Sequence, residues 1–572
     1  MNGSNSLYYI TMKLYTKNYL NFKVIDDTGK SIKEIDGFQS IKPGLPGDYV
    51  TDDGTFIKHT EHPLLVGVLY LQSKVKYGMT SKGAPIYLFE PLDKAYPLMI
   101  AGSTEKPGNN VLATARFESW DISNKFARAA LIRIIGQCGN IDAEKESLLL
   151  RYSPWMYPKS SYMISEKYDI ALSTRPFIQG FTFNIDPPGC EDVDDVFTLK
   201  QISEDSWDLT ISITDVASAI DPGSPLDIYA QKTGQSLYPD SRPPKHMLPP
   251  NIGIKELSLL PDLLRNCISL CIRWNPSGIE SINWSLSTIL VNRSYTYKEA
   301  QNESKIIILK EITEYIAKTS RISSEEWVET LMIYYNSEAG KLLKKHSCGI
   351  LRHHSQPDLL KLNQWTSIHP DLKMLAYSSA KYVTSDIPGS HWGLGITDYA
   401  HASSPLRRYA DLYNQRCLIN IIEDTPIKDN AELLCYSLNI LQKNAKAFDR
   451  DLFFLTNLSS KSKSIQAIVL ETDTKQKTTL WVPEWKRSIR IKHSKSVNPK
   501  QDVTLHYYVN YESARWKDKI VFEIIDANID YPELLPPSQA TDLHPQIDEE
   551  HQYACNMMPS ISTHPTYSEA SK

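Results

Sequence analysis

Short apolar runs cut by turn residues fill the first 150 residues, as in FKVIDDTGKSI (22–32), IKPGLPGDYVT (41–51) and LLVGVLYLQSKVKYGMTSKGAPIYLFEPL (64–92). Such alternation, punctuated by Gly, Pro and Asp-Gly, predicts small all-β modules. FARAALIRIIGQCGNIDAEKESLLLRY (126–152) differs and predicts a strand passing into a helix. Strands and turns dominate from about residue 165 to 290, including WDLTISITDVASAIDPGS (207–224). After Ser294 the period becomes helical, in YKEAQNESKIIILKEITEYIAK (297–318) and SSEEWVETLMIYYNSEAGKLLKK (323–345). In the second, Met332, Tyr335, Ala339 and Leu342 share one face, and Ser323 and Ser324 are candidate N-caps. Core packing is the plain explanation of that stripe. NAELLCYSLNILQKNAKAFDRDLFFL (430–455) continues the helical character. Five short strands at regular spacing between Ile465 and Ile525 then suit a small Greek-key barrel.

These changes of period divide the chain into two β modules (1–75 and 76–160), a central α+β domain (161–460), a last barrel (461–530) and a tail (531–572). The tail is rich in Pro, Ser, Thr and acidic residues, a composition that predicts disorder and leaves it open to protein partners.

Composition sets bounds. At roughly 100–200 residues per domain, a chain of this length holds about three to five. Hydrophobic residues make up 41% and charged residues 23% of the 572, ordinary for a chain that buries a core. The net charge of −5 weakens a nucleic-acid role without excluding a local basic groove. Eight cysteines include no CxxC pair, which speaks against a zinc framework or a disulfide scaffold and for a reducing compartment. Neither a leader nor an apolar run long enough to span a bilayer is evident. A soluble intracellular protein is expected, in the cytoplasm in preference to nucleus or organelle, with no membrane partner.

The chemistry concentrates in two stretches. NIDPPGCEDVDD (184–195) puts Asp186, Asp192, Asp194 and Asp195 in one loop-like segment around Pro187, Pro188 and Gly189. Three roles are open to such carboxylates: a solvated acidic turn, a calcium loop or a magnesium site. The calcium pattern D-x-[DN]-x-[DN]-G fails, since counting from Asp186 its third place is Pro188 and its sixth Glu191. In an extended segment Asp192 and Asp194 point to one side and Asp195 to the other, while the Pro-Pro-Gly turn lets Asp186 rejoin them. Four carboxylates so close repel one another unless a cation sits among them. HASSPLRRYADLYNQRCL (401–418) supplies candidate phosphate-holding groups in Arg407 and Arg408. Pro405 suits the first turn of a helix capped by Ser404, where hydroxyl, N–H and guanidinium groups make a phosphate cradle. A surface helix with ordinary ion pairs fits the same residues.

In this order, the two stretches resemble the catalytic domain of the ribonuclease II and ribonuclease R (RNB) exoribonuclease family. ITDVASAIDPGSPLDIYAQKTGQSLYPDSRPPKHMLP (213–249), VETLMIYYNSEAGKLL (328–343), ILRHHSQP (350–357) and HWGLGITDYAHASSP (391–405) fit the same family in sequence. The resemblance covers about residues 165–455. It implies a multidomain α+β fold: N-terminal OB/cold-shock-like β-barrels, a central RNB catalytic domain and a C-terminal S1-like OB barrel. GDYV (47–50) and IGQCGNIDAEKESLL (135–149) are the best points of the flanking match. The implied activity is processive hydrolysis of single-stranded RNA from its 3′ end to nucleoside 5′-monophosphates, by a chain expected to be monomeric. The implied cofactor is Mg²⁺, with Mn²⁺ as the other ion, held by Asp186, Asp192, Asp194 and Asp195. Asp194 falls on the aspartate the family needs most, Arg407 on its phosphate-binding arginine, and Tyr238 on a base-stacking tyrosine. Ser404 and Arg408 are carried over as RNA contacts. The alternative is an RNA-binding scaffold that keeps the fold without activity.

Two positions depart from the family pattern. Ser212 stands where V-H-I-A-D-V has its histidine, and Gln415 where H-R is usual. His353 and His354 beside Arg352 are given a structural or RNA-contact role, because metal chemistry of this kind needs no histidine base. In the last barrel Lys486, Arg487, Arg490, Lys492 and Lys495 crowd beside Trp481 and Trp485. That interleaving suits single-stranded RNA, a solubilising strand edge being the other reading.

Overall fold

The computed structural model describes residues 12–37, 41–155, 175–239, 243–387, 390–427, 431–458, 463–473, 477–492, 496–509 and 520–525. The tail expected from residue 531 lies outside the described residues. These residues fall into two compact units. One holds the described parts of 1–156, 358–376 and 444–558, the other those of 157–357 and 377–443.

Strand alternation builds the first sheet. Leu14 and Thr16 of β1 (Met12–Thr16) and Phe22 and Val24 of β2 (Asn21–Ile25) are buried, one residue in two. With β3 (Ser31–Asp36), β4 (Tyr49–Val50) and β5 (Phe56–Lys58) they give the order β3-β2-β1-β4-β5. The second module contains β6 (Leu65–Leu69), β7 (Ile86–Pro91), β8 (Met99–Gly102), β9 (Val111–Ser119) and β10 (Ala127–Gln137). It closes because β10 pairs antiparallel with β9 and parallel with β8. Since β6 is already a strand of this barrel, the division expected at residue 75 moves to before Leu65. The expected helix follows as α1 (Ile141–Tyr152), capped by the Asn140 side chain.

The second unit is built on one six-stranded sheet. Its members are β11 (Phe181–Asp186), β12 (Asp195–Gln201), β13 (Trp207–Thr214), β14 (Leu264–Asn275), β15 (Gly278–Leu290) and β16 (Arg293–Thr296), with α2 (Pro225–Thr233) and α3 (Pro250–Ile252) between β13 and β14. The order is β15-β14-β13-β12-β11-β16, antiparallel except for the parallel pair β11–β16. Helices α4 (Tyr297–Ala300), α5 (Ile308–Ala317) and α6 (Ser324–Lys345) follow. Ser323 and Glu326 close a capping box at the start of α6. Met332, Tyr335 and Ala339 face inward as expected, but Leu342 is half-buried and Leu343 takes the core place. The Tyr335 hydroxyl donates to the Ile268 carbonyl at 3.3 Å, tying α6 to β14. In this unit follow β17 (Ile350–His353), β18 (Lys381–Thr384), α8 (Tyr409–Ile422) and the first part of α9 (Ala431–Leu458), whereas α7 (Leu359–Thr366) and the rest of α9 belong to the first unit.

The last sheet, in the first unit, consists of β19 (Lys463–Thr472), β20 (Lys477–Val482), β21 (Arg487–Lys492), β22 (Asp502–Val509) and β23 (Ile520–Ile525). Its order, β21-β20-β19-β22-β23, repeats the 3-2-1-4-5 order of the two N-terminal modules, which is an OB-like arrangement. Trp481 is 1% exposed and packs with Leu372 and Leu470, so it is core and not a stacking platform. Trp485 is likewise engaged, edge-on to Phe454, Tyr507 and Phe522. Among the described helices none is long and apolar enough to cross a membrane.

Candidate active site

The aspartates gather because two neighbouring strands end on them. Asp186 closes β11 and Asp195 opens β12, so the connecting residues bring all four carboxylates to one end of the sheet. Gly189 turns the chain at φ +78°, and its missing Cβ would meet nothing within 4 Å, so the requirement there is conformational. The return limb is pinned from below by Ser258. Its hydroxyl donates to the Glu191 carbonyl (2.7 Å) and accepts the Val193 N–H (2.9 Å). Val193 anchors the same limb in an apolar cluster with Val196, Leu259, Cys267, Ile289 and Val291.

A second segment, 398–408, is held against α6. Asn336 accepts the Ala402 N–H (2.8 Å) and donates to the Ser403 hydroxyl (3.0 Å). Gly340 permits the close approach, since a Cβ there would lie 2.8 Å from the Asp398 and Tyr399 backbone. The helix begins at Tyr409 with Arg408 at its N-cap, so Pro405 to Arg407 form the turn before it and not its first turn. Asp411 folds that turn back, accepting from the Ser404 N–H and from Arg408 Nη2, both at 2.8 Å. Arg407 is thereby delivered to the aspartates. The Leu406 N–H donates to Asp194 Oδ1 (2.9 Å), Arg407 Nε to Asp194 Oδ2 (3.2 Å), and Arg407 Nη2 to the Ser404 hydroxyl (2.9 Å).

α8 is no surface helix. Asp411, Asn414 and Gln415 are fully buried on it. Gln415 accepts the N–H groups of Val216 (3.2 Å) and Ala217 (3.3 Å) and donates to the Thr214 carbonyl (2.7 Å). Glutamine thus satisfies the strand end beside the aspartate loop. Ser212 likewise has a partner: its hydroxyl, that of Ser269 and that of Ser287 form a buried chain across β13, β14 and β15, at 2.8 and 2.6 Å.

A cavity of about 340 Å³ is lined by the four aspartates, Pro187 to Glu191, Tyr238, Pro244, His246 and Arg407. Burial pushes the Asp194 carboxyl up to about 7, although Arg407 and the Leu406 N–H act against it. Burial, and then repulsion from Asp186 and Asp194, raises Asp195 well above the usual carboxylate range. Burial also raises Asp186, with the Asn184 amide opposing at 2.7 Å. Burial alone would weaken the Arg407 charge, but Asp194 and Asp192 outweigh it and hold the guanidinium protonated. Asp195 receives no hydrogen-bond donor among the described residues. Four carboxylates around one cavity, with Asp186, Asp194 and Asp195 raised, fit a hard divalent cation, which would relieve their repulsion.

Tyr238 lines this cavity and gives its hydroxyl to Asp192, with its ring edge-on to His246. His246, whose burial lowers its pKa, and Ser258 escaped the sequence reading. Ser404 and Arg408 are placed as supports of the turn. Arg352, His353 and His354 lie outside the cavity lining: Arg352 is buried, donates to Gln442 (2.9 Å) and lies 4.6 Å over the Tyr382 ring. In the last barrel Arg487 lies 4.3 Å over the Phe453 ring, Arg490 pairs with Asp473 at 2.7 Å, and Lys486 is exposed.

A family model described as the RNB domain matches residues 175–307 and 302–424, a span that holds every residue of this cavity. Residues 175–424 form an RNB domain. A second model, the Dis3-like cold-shock domain 2, matches residues 86–153 and so covers much of the closed barrel with α1. Among RNB relatives, "Exosome complex exonuclease RRP44 homolog A" of Arabidopsis thaliana is 26% identical over 433 residues, 58% of this chain and 46% of that protein. "Exosome complex exonuclease RRP44" of Homo sapiens is 24% identical over 507 residues, 70% of this chain and 52% of that protein. The chain spans about half the length of these curated relatives. The solved structure of Mycoplasma genitalium RNase R in complex with ribose methylated single-stranded RNA matches 90% of this chain and 100% of that one, at 15% identity and a TM-score of 0.67. The structure of yeast Ssd1, a pseudonuclease, matches 87% of this chain and 81% of that one at 16% identity with a TM-score of 0.61. One fold therefore serves both kinds of protein, and the RNB fold alone does not decide activity.

Proposed function

We propose that this RNB chain is a divalent-metal-dependent 3′-to-5′ exoribonuclease acting on single-stranded RNA and releasing nucleoside 5′-monophosphates processively. The observation that carries the reading is the complete set of enclosed aspartates with Arg407 locked beside it. Asp186, Asp192, Asp194 and Asp195 would hold Mg²⁺, or Mn²⁺, and the ion would supply positive charge against the phosphate and against the attacking and leaving oxygens. Arg407, fixed by Asp194 and Ser404, meets the scissile phosphate with a permanent charge. Tyr238 keeps its proton at the oxygen that binds Asp192 and so orients that carboxylate, while its ring offers a face to a terminal base. Attack of water on phosphorus breaks the bond to the upstream 3′ oxygen, which leaves as a hydroxyl with a proton from the water, and the phosphate stays on the 5′ oxygen of the released nucleotide.

The scaffold reading, favoured by the likeness to Ssd1, offers no reason to keep four repelling carboxylates enclosed. Incubating 5′-labelled single-stranded RNA with the chain, with Mg²⁺ or with EDTA, separates the two. A metal-dependent ladder of shortening products supports the nuclease, and RNA that stays intact but bound supports the scaffold.

A further inference from the structure

Away from the RNB cavity, Asp48, His59 and His62 converge where the first sheet passes into the closed barrel. Asp48 immediately precedes β4, His59 immediately follows β5, and His62 lies just ahead of β6. One ligand atom from each lies within 4.8 Å of the others. The Asp48 side chain is fully enclosed. Its Oδ2 accepts the Leu45 N–H (2.8 Å) and faces His59 Nδ1 at 2.7 Å. Its Oδ1 accepts the Thr60 N–H (2.8 Å) and faces His62 Nε2 at 3.0 Å. The His62 side chain is only 3% exposed, and its Nε2 makes no hydrogen bond of proper direction despite that distance. A buried imidazole nitrogen close to a carboxylate oxygen but not aimed at it is placed to share a third body with it.

The rings are fixed from behind. His59 packs on Phe56 (4.6 Å between centroids) and Phe117 (4.8 Å), and His62 on Phe117 (5.2 Å) and Tyr96 (6.0 Å). Phe117 belongs to β9, so both modules wall the cluster.

We propose that one carboxylate oxygen of Asp48, His59 Nδ1 and His62 Nε2 bind a Zn²⁺-class ion, which clasps the first sheet to the closed barrel. Two imidazoles and a carboxylate form a borderline donor set that suits Zn²⁺ and disfavours Mg²⁺, which takes oxygen ligands. Bonds of about 2.0–2.2 Å place tetrahedral donors about 3.4 Å apart, so the Asp48 oxygens, now 2.7 and 3.0 Å from the imidazole nitrogens, must draw back by about half an ångström. Water would complete the tetrahedron.

The test uses the full chain carrying Asp194→Asn, in millimolar Mg²⁺, so that the RNB site does not report. Equilibrium dialysis should find one Zn²⁺ per chain, and Co²⁺ in its place should give the intense visible band of a low-coordinate nitrogen-ligated ion. Adding His62→Ala should abolish the band and weaken Zn²⁺ uptake by about a hundredfold or more, since even outer-shell partners of a metal are worth about 10–100-fold. His59→Gln provides the same readout should His62→Ala not fold. The proposal is overturned by absence of stoichiometric Zn²⁺ in the Asp194→Asn chain, or by a band that survives either histidine change in folded protein.

Discussion

Asp194 and Arg407 are 213 positions apart in the sequence, yet Arg407 Nε lies 3.2 Å from Asp194 Oδ2 while the neighbouring Leu406 N–H reaches Oδ1 at 2.9 Å. Two donors from one turn thus clamp both oxygens of one buried carboxylate. The clamp sets the position of the arginine against the remaining aspartates. It also explains why Ser404 and Asp411, which shape that turn, are buried polar residues.

Arg407→Ala should slow single-turnover cleavage by about a hundred- to thousandfold, the usual effect of removing one electrostatic donor to a transition state. RNA affinity should fall far less. Equal losses in rate and in affinity would make Arg407 a general anchor.

The raised Asp194 carboxyl leads to a pH dependence. Its folded value of about 7 exceeds the ordinary carboxylate value, so its contribution to stability is fully present at acid pH and lost as pH rises through about 7. A bound cation requires the ionised form. Mg²⁺ should therefore raise the melting temperature more at about pH 8 than at about pH 6, relative to EDTA. Thermal melts at the two pH values check this, and a shift of equal size at both would count against the aspartates as the metal site.

Much of this site was legible in the sequence because its chemistry is spelled contiguously. NIDPPGCEDVDD carries its own turn, and the arginine segment follows its own serines and proline. Its supports were not legible. Ser258 lies in an apolar run with no mark of its bond to residue 193, and the value of Asn336 depends on a backbone sixty-odd residues onward. In the last barrel Trp481 misleads because every residue of β20 is buried and Leu372, from a segment about a hundred residues earlier, packs with it, which the basic run beside it does not announce. The Leu342 expectation failed by one residue, because a helix advances about 100° per residue and neighbours fall on different faces.

Ser258→Ala removes both bonds that pin the aspartate loop. It leaves the Val193 N–H unsatisfied, an effect of about 1–3 kcal/mol. Denaturant unfolding should show that loss, with cleavage slowed in parallel. Full activity in a destabilised protein would separate the loop from the chemistry.

Lys486 and Lys492 are the exposed cations of the basic run that the described structure places in the last barrel. Changing both to Ala should flatten the slope of log affinity against log salt by about 0.7 per lost phosphate contact to a single strand. An unchanged slope would remove this edge from the RNA path.

The most direct measurement compares the wild type with Asp194→Asn on 5′-labelled single-stranded RNA in Mg²⁺, with RNA binding measured in parallel. Stepwise shortening by the wild type only, with binding retained by both, is expected. Intact RNA with the wild type, or equal shortening by both, would contradict the proposed function.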